Sequence, residues 1–246
     1  MIDILRIAVC EDDPADTERL VAFIKQAGIA SDMESFETAE ALLSDFEPGK
    51  YDLIFLDIFF CGKSGMYAAQ TIRGMDKIVA LAFTTTSIDH ALDSYRVGAL
   101  KYLEKPMKAE GVKETLELAL MKINNRPYIT LSIAGGGKKD VPLDSILYFE
   151  SQNRAVAVHV TSGVITTSRA EKLDGLEESL PSPPFLRCHR SFIVNLDYAR
   201  AEDRDLMAFV MESGDMVFIR RGMFAKCKKA RNERLIGELR KDMGGA

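Results

Sequence analysis

Residues 52–57 read Asp-Leu-Ile-Phe-Leu-Asp, four apolar side chains in a row with a carboxylate at either end. So short an apolar run, without alternation, is the pattern of a strand buried on both faces of a parallel sheet. The flanking sequence repeats the theme. Leu5–Cys10 is a second apolar strand, and Pro14 opens a helical stretch that Gly28 ends. Asp32–Phe36 reads as a weak strand, Thr38–Phe46 and Met66–Met75 as helices, and Ile78–Phe83 as another strand. A helix over His90–Val97, a short strand over Lys101–Leu103 and a helix over Ala109–Ile123 complete the series. Five strands alternating with five helices predict an α/β fold, a doubly wound parallel (βα)5 sheet. The functional crevice of such a sheet lies beyond the carboxyl ends of its strands.

The turn-forming run Asn124-Asn125-Arg126-Pro127 closes this pattern, so we expect a first domain over 1–124, a linker at 125–127 and a second domain over 128–246. Beyond it the periodicity becomes two. Tyr128–Ile133, Ile146–Glu150, Ala155–Val160, Gly163–Ser168, Asp205–Met211 and Met216–Arg220 read as strands, with helices over Leu173–Leu180 and Met223–Leu239. The second domain is therefore mostly β. Gly135-Gly136-Gly137-Lys138-Lys139 reads as a hairpin tip rather than a phosphate cradle.

With 47% hydrophobic and 28% charged residues among 246, wholesale disorder is excluded. No stretch approaches the roughly 20 apolar residues of a membrane helix. The four cysteines, Cys10, Cys61, Cys188 and Cys227, form no Cys-x-x-Cys pair, and the N-terminus carries acids without a long apolar segment. Both features lead us to expect a cytoplasmic, thiol-reduced protein that makes no membrane contact. Charge is unevenly shared. The first 125 residues hold 13 Lys and Arg against 21 Asp and Glu; the remainder hold 19 against 16. An acidic module joined to a basic-ended one points to regulation coupled to a polyanion.

Glu11 and Asp12 follow the first strand and Asp57 ends the third. Carboxylates gathered at neighbouring strand ends need a cation, and oxygen ligands with room for water suit Mg²⁺. Thr85 offers a hydroxyl after the fourth strand and Lys105 an ammonium after the fifth. Together they make a phosphoryl-transfer site with an aspartate acceptor. Gly62-Lys63-Ser64 lacks the upstream glycine of a nucleotide-binding loop, because Asp57 occupies that place. A phosphatase of the haloacid-dehalogenase type needs a second acid where Phe59 stands, which argues against an enzyme that turns over.

This ordered set resembles the response-regulator receiver family over residues 3–123, on Glu11 and Asp12, Asp57 followed by Gly65, Thr85, Tyr102 and Lys105-Pro106. The resemblance implies that a sensor histidine kinase phosphorylates Asp57. It implies Mg²⁺ held by Asp12, Asp57 and the Phe59 backbone carbonyl, with Glu11 acting partly through water. It further implies coupled movement of Thr85 and Tyr102, and a cis Lys105–Pro106 peptide. Cys61, where the family often has proline, and Thr86, where a smaller residue is common, depart from the pattern.

The second half resembles the LytTR DNA-binding domain over about 127–240. Ile146–Glu150, Phe185–Asn195 with its Arg-x-His-Arg-Ser core, and Phe218–Arg221 carry that likeness. It implies a ten-stranded fold that reads double-stranded promoter DNA from loops. The segments Gln152–Arg154, His189–Arg190 and Arg220–Arg221 would enter neighbouring major grooves, with Arg154, His189, Arg190, Arg220 and Arg221 as the contacts. His189 reads equally well as a turn-stabilising residue, and Cys188 as a buried hydrophobe or a perturbed thiol. The expected protein is a phosphorylation-controlled regulator of transcription that associates as a homodimer on tandem half-sites. The alternative keeps the receiver and makes the β module a protein-interaction output.

Overall fold

Strand β1 (Leu5–Cys10) lies at the heart of a parallel sheet with β2 (Ser31–Phe36) on one side and β3 (Leu53–Asp57) on the other. Strands β4 (Ala80–Thr85) and β5 (Lys101–Glu104) extend it to the order β2-β1-β3-β4-β5. This computed structural model describes residues 4–59, 64–86 and 97–243, with side chains as far as Gly237. The chain divides into two compact units, Met1–Arg126 and Pro127–Ala246.

Helices α1 (Pro14–Gln26) and α4 (Ala109–Asn124) cover one face of the first sheet, packing Leu20, Ile24, Val112 and Leu116 on Ile7 and Phe55. Helices α2 (Ala39–Asp45) and α3 (Gly65–Met75) cover the other, setting Leu42, Ala68 and Ile72 against Ile54, Leu56 and Phe83. Both faces of β3 are thus buried, as its unbroken apolar run required. Asp13 caps α1 by accepting from the Ala15 and Asp16 amides, and Ser64 caps α3 through the Tyr67 amide. The sheet order reverses direction between β1 and β3, which opens a crevice at their carboxyl ends.

Two boundaries in this unit differ from the sequence reading. Strand β4 starts at Ala80 rather than Ile78, because buried Asp76 takes the Ile78 and Val79 amides as well as that of Gly49. It runs on to Thr85 because Glu104 of β5 pairs there. The helix expected over 90–97 and the loop with Cys61 fall outside the described residues, Val97 excepted.

The second unit holds ten strands among the described residues. A five-stranded sheet runs in the order β10 (Gly163–Thr166), β9 (Ala155–Val160), β8 (Ile146–Gln152), β12 (Phe192–Asn195) and β11 (Phe185–His189). The pair β6 (Tyr128–Ser132) and β7 (Lys138–Pro142), with helix α5 (Leu173–Ser179), closes a core around Phe149 and Ile193 on one face. The meander β13 (Ala199–Asp203), β14 (Ala208–Met211) and β15 (Met216–Phe218), with helix α6 (Phe224–Met243), closes a second core on the other. Strands β7, β11, β12 and β13 are absent from the list of strands read from periodicity. The strand expected over 205–211 begins only at Ala208. Before it, Asp203 accepts from the Asp205 and Leu206 amides and Met207 adopts φ 51°, which makes the segment a turn.

Replacing Asp76 with alanine strands three main-chain donors that one carboxylate satisfies. The expected loss is about 2–3 kcal/mol, the cost of removing a charged acceptor from buried donors. Urea unfolding of the full chain checks this through a lower midpoint at unchanged slope.

Candidate functional site: an acidic crevice and an arginine-bearing sheet edge

The crevice beside β1 and β3 gathers charge from four separate segments. Glu11 leaves the end of β1 and Asp57 ends β3, and both are buried, at 3% and 4% exposure. Asp12 is exposed beside them, and carboxylate oxygens of the three lie within 4.8 Å of one another. Lys105 Nζ enters from the end of β5 and reaches Asp57 Oδ2 at 2.7 Å, Glu11 Oε2 at 2.8 Å and Asp16 Oδ2 at 3.1 Å. Burial disfavours the ammonium, but the hydrogen bonds it donates to Asp57, Glu11 and Asp16 outweigh that penalty and hold the Lys105 pKa above the usual lysine range. Glu11 is pushed up to about 7, chiefly by burial and secondarily by the Asp57 charge, with Lys105 opposing.

The main chain fixes the acceptor from both sides. Asp57 Oδ1 accepts from the Phe59 amide at 3.0 Å, so each carboxylate oxygen has a donor. Gly65, at the start of α3, packs directly on the Asp57 backbone: a Cβ there would lie 1.8 Å from the Asp57 carbonyl oxygen. Only glycine allows α3 to begin this close to the end of β3. The Lys105–Pro106 peptide is cis.

Two residues of the crevice escape the sequence reading. Asp16 belongs to the first turn of α1, where an acid reads as a complement to the helix dipole. The signal that could have found it is that α1 starts at the carboxyl end of β1, so its first turn borders the crevice. Thr84 pairs with Asp57 in register, and its hydroxyl lies 3.5 Å from Glu11 Oε2. Thr85 is also buried; strand alternation puts it on the face of Phe83, and its carbonyl accepts from the Lys105 amide. Tyr102 stacks on Phe83 at 5.3 Å between centroids. Its buried hydroxyl finds no hydrogen-bond partner among the described residues, and burial pushes its pKa up to about 12.

The second unit brings its candidate residues to one end of one sheet. Strands β8 and β9 meet in a two-residue turn, Asn153-Arg154, with φ 52° and 67°. Positive φ at both positions is the geometry of a type I′ hairpin, in which glycine normally takes the place held here by Arg154. Phe192 pairs with Glu150, so the turn between β11 and β12, Arg190-Ser191, lies at the same sheet end, and the Ser191 carbonyl accepts from the Ser151 amide. The Arg220 amide donates to the Cys188 carbonyl, which brings the third segment alongside. Arg154, Arg190, Arg220 and Arg221 are all exposed. Phe218, two residues before Arg220, is exposed as well, at 51%.

His189 is partly buried and accepts from the Ser191 amide at Nδ1, 3.1 Å. Burial, then Arg190, Arg187 and Arg220, lowers its pKa. That bond assigns the ring proton to Nε2. His189 is therefore a turn-stabilising residue, whatever else it touches. Cys188 is fully buried and its thiol is pushed up to about 12 by burial, so it packs as a hydrophobe. No described helix is long and apolar enough to cross a membrane.

A buried strand-end aspartate, an acid pair and a strand-end lysine on a β2-β1-β3-β4-β5 sheet define a receiver, and the family comparison agrees. The response regulator receiver domain matches residues 7–117, and the LytTr DNA-binding domain matches residues 137–231. Among curated relatives, the sensory transduction protein LytT of Bacillus subtilis is 27% identical over 207 residues, covering 80% of this chain and 85% of that protein. The transcriptional regulatory protein LytR of Staphylococcus aureus is 21% identical over 209 residues, covering 80% and 85%. A solved LytTr DNA-binding domain from Bacillus cereus aligns at 27% identity over 43% of this chain and 97% of that one, with a TM-score of 0.37. The chain belongs to the response regulators that join a receiver domain to a LytTr DNA-binding domain.

The Gly65 contact gives a direct test of how the crevice is built. Gly65→Ala must push the Asp57 carbonyl or the start of α3 aside, and we expect a loss of about 1–3 kcal/mol, the scale of overpacking a filled site. A thermal melt of the variant reads it as a lower Tm; an unchanged Tm would mean that α3 does not start where the structure places it.

Proposed function

We propose that this response regulator takes a phosphoryl group on Asp57 from a sensor histidine kinase and that the modified chain binds promoter DNA through the β8–β9, β11–β12 and Arg220–Arg221 segments. The observation that carries the first half is the Lys105 ammonium shared among Asp57, Glu11 and Asp16. Asp57 Oδ attacks phosphorus, the bond to the kinase imidazole breaks, and the imidazole leaves. Lys105 is placed to hold a phosphoryl oxygen as the transferring group arrives. The donor set is all oxygen and partly open to water at Asp12, which suits Mg²⁺. Asp12, Asp57 and the Phe59 carbonyl would hold it, with Glu11 through water, and it would supply charge neutralisation during transfer. Thr85 and Tyr102 are the switch residues of this reading. The Tyr102 hydroxyl, buried without a partner among the described residues, has a hydrogen bond to gain if Thr85 or the phosphoryl group shifts toward it.

For the second half, arginine suits bidentate contact with guanine and with phosphate. Arg154 accepts a backbone conformation that glycine would adopt at no cost, and such strain at an exposed cation supports a role in reading rather than in folding. Phe218 adds an apolar surface of the kind that meets thymine methyl groups. Self-association of modified chains would then raise affinity for tandem half-sites by effective concentration. The chain is a cytoplasmic phosphoacceptor on this reading, not a turnover enzyme.

Asp57→Asn is expected to abolish acid-labile phosphate incorporation from a small phosphodonor, whereas undiminished labelling would remove Asp57 as the acceptor. On a duplex selected from random DNA by the full chain, Arg190→Ala is expected to cost roughly 1–3 kcal/mol if Arg190 reads a base. An equal loss on a scrambled duplex would reassign it to phosphate. Affinity should also fall steeply as salt rises; a flat response would favour a protein partner for the β module instead.

A further inference from the structure

Of the arginines in the Arg-x-His-Arg-Ser stretch, Arg187 is the one turned inward, with its side chain only 18% exposed. Its guanidinium is spent on the chain itself. Nε donates to the His189 carbonyl at 2.8 Å and Nη2 to the Arg190 carbonyl at 2.7 Å. On the far side stand two carboxylates of α5, Asp174 at 3.2 Å from Nη2 and Glu177 at 3.6 Å from Nη1. Nη1 is buried and makes no hydrogen bond among the described residues, Glu177 at 3.6 Å being its ion-pair contact. The carbonyls it grips follow directly on the β11–β12 register slip, which falls between Arg187 and His189. A bulge leaves main-chain groups outside the ladder and re-aims the side chains that follow it. Here those side chains are His189 and Arg190.

We propose that Arg187 is a positioning residue of the DNA-reading edge: it clamps the bulged β11–β12 turn through two main-chain carbonyls, with Asp174 and Glu177 as its anchor, and so aims Arg190. This rests on the reading of that edge as a DNA-binding surface. The planar fork is essential, because two carbonyls at a fixed spacing match a guanidinium and not a point charge. Lysine at 187 keeps the charge and loses the clamp.

The test compares wild type, Arg187→Lys, Arg190→Ala and the double variant as full chains. Each is titrated with a duplex that the wild type selects from random DNA and with a scrambled duplex, over a salt series. We expect Arg187→Lys to lose about tenfold on the selected duplex, the worth of one misread base pair, and little on the scrambled one. The salt slope should stay unchanged, and the double variant should bind like Arg190→Ala alone, since one residue acts through the other. A slope reduced by about one unit would overturn the proposal by making Arg187 a phosphate contact. Independent, multiplying losses would overturn it too, as would equal losses on both duplexes with a lower Tm. Hydrogen exchange of the Ser191 amide, measured without DNA, separates the clamp from the DNA reading. Faster exchange in Arg187→Lys is expected from a loosened turn, and unchanged exchange would remove the clamp. Should the wild type select no duplex while that exchange still accelerates, the DNA reading falls and the clamp stands.

Discussion

One ammonium among three carboxylates organises the first unit. Glu11 and Asp16 flank the short β1–α1 connection and Asp57 ends β3, some forty residues further on, and buried like charges repel unless a cation joins them. Lys105 is that cation, and it is delivered by the strand at the far edge of the sheet. The crevice between β1 and β3, the turn after β5 and the capped start of α1 must therefore all be in place together before the charges balance. A charge balance of this kind can be rearranged by a ligand. A new anion offers Lys105 other oxygens, and whatever Lys105 releases must find another partner. Such a switch is local electrostatics acting on an element with more than one arrangement.

The second unit solves the opposite problem. Its candidate DNA-contacting arginines are exposed, so their charges are screened and discriminate poorly between ligands. What they can offer is placement. The Asn153-Arg154 turn, the His189 Nδ1 bond to Ser191, the Arg220 amide on Cys188 and the Arg187 fork are all main-chain devices that fix where a side chain starts. Held backbones lower the entropy lost when a flexible side chain finds its partner.

The sequence exposes those features whose cause is local. The run Leu53–Asp57 is legible because burial on both faces leaves no room for a polar residue. Glu11, Asp12 and Lys105 are legible because charge stands where strand signals stop. Asp16 and Thr84 are not, since their significance lies in which neighbour they face, and helix start and strand register decide that. Strands β7 and β13 are missed for a related reason. Lys138–Pro142 is mostly exposed and Ala199–Asp203 lies at a sheet edge, so pairing rather than burial makes them strands. Arg187 is the extreme case. It is quoted in the motif that identifies the domain, yet its hydrogen-bond partners are carbonyls, which have no letter in the sequence.

The uneven charge of the chain bears on how such a regulator gains control. The first 125 residues carry an excess of eight negative charges and the rest an excess of only three positive ones. Long-range attraction to DNA is then weak, because the summed field of the chain does not favour a polyanion. On the proposed reading a single copy relies on a few arginines at one end of the sheet, and a few bidentate contacts give only modest discrimination. Weak single-copy binding is what makes linkage effective: a second copy held nearby multiplies affinity without any new kind of contact, and the gain is felt most where one copy alone is poorly bound. On the proposed reading, modification of Asp57 therefore has leverage over DNA occupancy because the basic module is sparingly charged.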